Sequence, residues 1–129
     1  MATNTLPIVG AYFRPPAKVL IEVLSIGTPL ELIAEPDNIY DPNAIAVWLN
    51  SSHIPPEAYS RLEELLPPFG YSLEDVMNEE YWHLGYVPKE LAKRLRETQA
   101  IDTSEPMAVT ISLSSNGAPR VRRAEPFPI

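Results

Sequence analysis

Fifteen prolines interrupt this chain of 129 residues, against only five glycines. A proline locks φ and offers no backbone donor, so it ends strands and fits a helix only in the first turn. The pairs Pro15-Pro16, Pro55-Pro56 and Pro67-Pro68, together with Pro29, Pro36, Pro42, Pro88 and Pro119, cut the sequence into short pieces. The prolines read as strand ends and rigid loops. Disorder is excluded, because 45% of the residues are apolar, too many for a chain that cannot bury a core. The length is one domain's worth, and a domain of this size buries a core without staples. The chain has no cysteine. Disulfides, thiolate zinc sites and cysteine nucleophiles are therefore excluded.

Between the prolines, short apolar runs read mostly as strands. Residues 6–12 (LPIVGAY) form the first, with Gly10 marking a bulge. Residues 18–26 (KVLIEVLSI) are rich in Val, Ile and Leu and are predicted as a second. Residues 29–35 (PLELIAE) alternate as a half-buried strand does. Residues 36–43 (PDNIYDPN) form a dense Asx/Pro loop, rigid without regular structure because Asn and Asp bond their own backbone. Residues 44–49, 82–87, 107–113 and 119–124 complete the strands, the last two joined by an Asn116-Gly117 hairpin turn. Helices are predicted at 57–66 and 73–79, the second opened by Ser72 with Asp75, and from Pro88 to about Glu97. Six or seven short strands interrupted once by helix suggest a mainly β chain with helices, of α+β class, built as a small β-barrel, with a sandwich as runner-up.

The formal charge of −7 is unevenly placed. Between residues 57 and 80 stand seven acids, Glu57, Glu63, Glu64, Glu74, Asp75, Glu79 and Glu80, against Arg61 alone. That segment nets −6 and the rest of the chain −1. As an average, the charge argues against nucleic acid and anionic membranes. Located, it argues only that an acidic helical segment, an insertion at about 50–80 within a single domain 1–129, has its own surface chemistry.

Four features stand in order along the chain. Ile8-Val9-Gly10 precedes Tyr12, Phe13 and Arg14. The run Glu35-Pro36-Asp37-Asn38-Ile39-Tyr40-Asp41-Pro42-Asn43-Ala44-Ile45 follows. Leu84-Gly85-Tyr86-Val87-Pro88 comes next, and Lys89-Glu90-Leu91-Ala92 opens the helix. This arrangement resembles the HIRAN domain, a module found on certain DNA translocases and alone in bacteria and phages. The eleven-position run is the specific part, and the resemblance covers roughly residues 6–49 and 81–113.

The resemblance implies an OB-like or SH3-like barrel of about six strands with no catalytic activity. No cofactor is expected, and no metal, because no His/carboxylate cluster stands at ligand spacing. It implies a site for the 3′ end of single-stranded DNA. Phe13 or Tyr12 would stack on one side of a terminal base and Tyr40 on the other; as neighbours in a strand the first two face opposite ways. Arg14 belongs to the same cluster. Asp41 would accept a hydrogen bond from the sugar hydroxyl, Asn38 would contact the DNA backbone, Tyr86 would lie near a phosphate and Lys89 would bind one. The physics agrees: stacking is worth about 1–3 kcal/mol per base without base preference. A carboxylate accepts from a hydroxyl and repels a further phosphate. With so few bases on these segments, the salt dependence of binding is expected to be shallow.

Plainer roles stand beside these. Tyr40 also suits a cap on the barrel, and Asp41 and Asn43 suit Asx turns. Trp48 and Trp82 read as core or rim packing, and Lys93, Arg94 and Arg96 as a solvated helix face. Enzyme chemistry finds no support. His53 and His83 are thirty residues apart, and no glycine-rich phosphate loop or nucleophile elbow is present. The rival expectation is a protein-binding adaptor, or a phage-type inhibitor mimicking DNA, acting through residues 57–80 with Leu65, Leu66 and Phe69 exposed. A third is that this segment covers the groove or forms a dimer contact. With neither an apolar span nor a signal-like start, a cytoplasmic protein is expected, with no membrane partner.

Overall fold

The structure, a computed structural model, describes residues 3–10, 15–98 and 105–128. Six strands form one antiparallel sheet: β1 (Thr3–Pro7), β2 (Pro29–Ala34), β3 (Ile45–Asn50), β4 (Tyr81–Tyr86), β5 (Met107–Leu113) and β6 (Pro119–Phe127). The strand order is β1-β6-β5-β2-β3-β4, with every neighbouring pair antiparallel. The α+β class is as expected, but the barrel is not: the sheet is not closed. Its outer strands β1 and β4 share no ladder. Just past β1, Val9 makes a single isolated bridge to Tyr86, with N···O distances of 2.8 and 2.7 Å. Closure is a long-range property, and the short pieces left by the prolines carry no signal for it.

Four α-helices accompany the sheet among the described residues: α1 (Pro15–Val23), α2 (Tyr59–Leu65), α3 (Leu73–Asn78) and α4 (Lys89–Glu97). Helix α1 corrects the predicted strand at 18–26. Pro15-Pro16 does not merely end a strand; it opens a helix, where missing N–H groups cost nothing. Ala17, Leu20 and Leu24 are buried at helical spacing while Lys18 and Glu22 face solvent. That periodicity overrides the β preference of Val and Ile. The first strand also lies earlier than predicted, and Ala11 and Tyr12 of that stretch fall outside the described residues.

Elsewhere the local signals hold. Leu30, Leu32 and Ala34 of β2 point into the core. Ser72 and Asp75 form a full capping box, Ser72 Oγ accepting from Asp75 N at 3.0 Å and Asp75 Oδ2 from Ser72 N at 2.8 Å. One hydrophobic cluster joins strand residues such as Leu6, Leu49, Leu84 and Val121 to Leu20 of α1 and Leu95 of α4. Residues 51–80 feed it with Ile54, Ala58, Leu62, Leu66 and Val76. The Trp82 indole, 1% exposed, donates to the Val76 carbonyl at 2.8 Å and ties that segment to the sheet. Leu66 is thus core, at 0% exposure, and Leu65 is half-buried, which corrects the expectation that both are free; Phe69 is exposed. No helix among the described residues is long and apolar enough to cross a membrane.

Candidate nucleic-acid interface

The loop between β2 and β3 is built on one side chain. Asn38 Oδ1 accepts from the backbone N–H groups of Tyr40, at 2.9 Å, and Asp41, at 3.0 Å. Its Nδ2 donates to Glu35 Oε1 at 3.0 Å. Asp41 Oδ1 then accepts from Asn43 N at 2.9 Å, the Asx turn that the local sequence predicts. Backbone bonds between Glu35 and Ala44 and between Ala44 and Asp41 close the loop's base. The result is a loop fixed by its own polar groups, which leaves Tyr40 89% exposed.

Beside it, the Val9–Tyr86 bridge joins the two ends of the sheet. Tyr86 donates its hydroxyl to the same Glu35 Oε1 at 3.0 Å, so one carboxylate oxygen serves loop and strand together. Burial, then the hydrogen bond and charge of Glu35, push the Tyr86 pKa up. Gly85 occupies φ 156°, open to a residue without Cβ, next to the irregular register of β3 and β4. Its carbonyl lies 2.9 Å from His83 Nε2. The His83 ring stacks on Trp48, centroids 4.9 Å apart, and meets Tyr86 edge-on at 4.7 Å. Burial holds the His83 pKa below its ordinary value, against the raising effects of the Gly85 carbonyl and Glu35.

Between loop and bridge lies a cavity of about 310 Å3, lined by Val9, Asn38, Tyr40, Asp41, Ala44, Tyr86, Val87 and Lys89. It is near the lower end of small-ligand pockets, about 300–1,000 Å3, a fit for a base or nucleoside rather than a duplex. Of the eight site residues expected from sequence, five line it: Asn38, Tyr40, Asp41, Tyr86 and Lys89. Tyr12, Phe13 and Arg14 lie outside the described residues. No lining residue comes from 51–80, so that segment does not cover the cavity among the described residues. Glu35 is the residue sequence reasoning left without a role. Its signal was present, three positions before Asn38 in the same run, but its link to Tyr86 spans 51 residues.

A tyrosine face, a second carboxylate oxygen on Asp41 without a partner among the described residues, an ammonium at Lys89 and apolar walls from Val9, Ala44 and Val87 can stack a planar ring, accept from a hydroxyl and neutralise a phosphate. Among the described residues, no cluster of His, Cys, Asp or Glu is arranged to hold a metal ion. No curated protein and no solved structure matches the chain closely. The HIRAN domain family model matches residues 5–116, nearly the whole chain and including the acidic segment. The protein belongs to the HIRAN domain family, a family linked to DNA binding.

Proposed function

We propose that this protein is a non-catalytic module that binds single-stranded DNA at a free 3′ end, in the cavity beside the loop at 36–43. One observation carries the reading: Asn38, Tyr40, Asp41, Tyr86 and Lys89, drawn from two stretches some 45 residues apart in sequence, line one cavity of nucleoside size. Tyr40 stacks on the terminal base, Asp41 accepts from the 3′-hydroxyl and Lys89 meets a phosphate. Asn38 acts chiefly by holding Tyr40 and Asp41 in place, since its carbonyl oxygen is already engaged by their amides.

The test is a fluorescence titration with 3′-hydroxyl and 3′-phosphate oligonucleotides. The hydroxyl form is expected to bind more tightly, because a 3′-phosphate would face the Asp41 carboxylate. Tyr40→Ala should cost about 1–3 kcal/mol of binding, and Asp41→Asn should erase the preference between the two ends. Equal binding to both ends by the unaltered protein would refute end recognition.

A second reading, an adaptor acting through residues 57–80, is supported by the exposure of all seven acids of that stretch. Deleting the segment would also remove core side chains, so charge reversal is the cleaner test. Glu63→Lys with Glu64→Lys should abolish partner binding and leave oligonucleotide binding intact.

A further inference from the structure

The outer face of the sheet carries a second concavity, of about 480 Å3, lined by Glu31, Ile33, Trp48 and Tyr81. Among the described residues, the two share no lining residue. Glu31 and Trp48 are cross-strand partners on β2 and β3, and Trp48 faces His83 on β4. One face of the indole is taken by the stacked His83 ring. Tyr81, 38% exposed, stands at the start of β4 directly after the exposed Glu80. Glu31 is half-buried, and its carboxylate has neither a hydrogen bond nor an ion pair among the described residues. Among the described residues, no basic side chain lines the cavity.

Two aromatic rings beside an unpartnered carboxylate select by charge. A phosphodiester would be repelled by Glu31. A cation is attracted twice, by the carboxylate and by the ring quadrupoles, most strongly that of tryptophan. Among cations the flat guanidinium fits best. It stacks on an aromatic face and presents paired N–H donors to a carboxylate, which an ammonium cannot do. It would also extend the stack already begun by His83 and Trp48, and burial lowers the His83 pKa, which disfavours a competing charge on the imidazole.

We infer that this concavity is a docking site for an arginine side chain of a basic protein partner, stacked on Trp48 and paired with Glu31. The site does not depend on DNA binding in the first cavity.

The experiment follows the indole N–H resonances of the full chain by NMR. The chain has two tryptophans, and Trp82 is buried with its N–H held by the Val76 carbonyl, so it serves as an internal control of folding. The probe is a capped Gly-Gly-Arg-Gly-Gly peptide, compared with its citrulline counterpart, which keeps the shape and loses the charge. The arginine peptide is expected to move the Trp48 resonance saturably and leave Trp82 in place. The citrulline peptide and the Glu31→Gln variant should each weaken binding by about fivefold or more. The inference is overturned if the arginine peptide leaves Trp48 unmoved, if citrulline serves equally well, or if Glu31→Gln binds undiminished with Trp82 unchanged. It is equally overturned if only an oligodeoxythymidine moves Trp48, an outcome that would assign the surface to nucleic acid.

Discussion

The Asn38 side chain makes three hydrogen bonds, and two of them hold the backbone amides of Tyr40 and Asp41. Asn38→Ala should destabilise the protein by about 1–2 kcal/mol, read by urea denaturation, because two loop amides lose their acceptor. Oligonucleotide affinity should fall further than stability, since Tyr40 loses its fixed position. Tyr86 offers a pH test. Its folded pKa lies above the ordinary value of about 10, so the neutral phenol that donates to Glu35 is favoured in the folded state. That contribution is fully present below about pH 10 and is lost as pH climbs through the raised value. Tyr86→Phe should flatten the alkaline loss of stability, followed by denaturation from pH 9 upward. The Asx turn was legible in the sequence because Asn and Asp bond their neighbours. The Glu35–Tyr86 bond was not, because its partners meet only after the sheet has assembled.

At the scale of elements, α1 separates what composition says from what burial decides. Its Val, Leu and Ile content fits a strand, yet Ala17, Leu20 and Leu24 form a buried helical stripe, and the helix packs against β4 and α2. Leu20 is fully buried, so Leu20→Ala should cost about 2–5 kcal/mol, measured by thermal or urea unfolding. Lys18→Ala on the exposed face should change little, which distinguishes a helix from a two-sided strand. By contrast α3 announced itself. Ser72 and Asp75 stand at the spacing of a reciprocal cap, and both of its hydrogen bonds form. Strands β2, β5 and β6 were equally plain, through alternation and the Asn116-Gly117 turn. Local chemistry writes caps, turns and alternation into the sequence; a short β-branched run leaves helix and strand undecided until its neighbours are known.

Across the whole molecule, five of eight expected site residues converge although the expected closed barrel does not form. The loop and the start of α4 are adjacent because β3 and β4 pair, and that needs only a sheet. The acidic stretch is likewise more integral than an appendage, since it supplies five side chains to the one core. The junction between Val9 and Tyr86 has a practical corollary. It rests on two backbone hydrogen bonds, and both residues also line the cavity. A ligand that binds only the joined form must hold the junction shut, by about 2.7 kcal/mol at a hundredfold excess over its dissociation constant. The amide protons of Val9 and Tyr86 should therefore exchange with deuterium about a hundredfold more slowly when an oligonucleotide saturates the protein, while those of β5 keep their free rates. Two amides thus become a clock whose rate reports whether the cavity is filled.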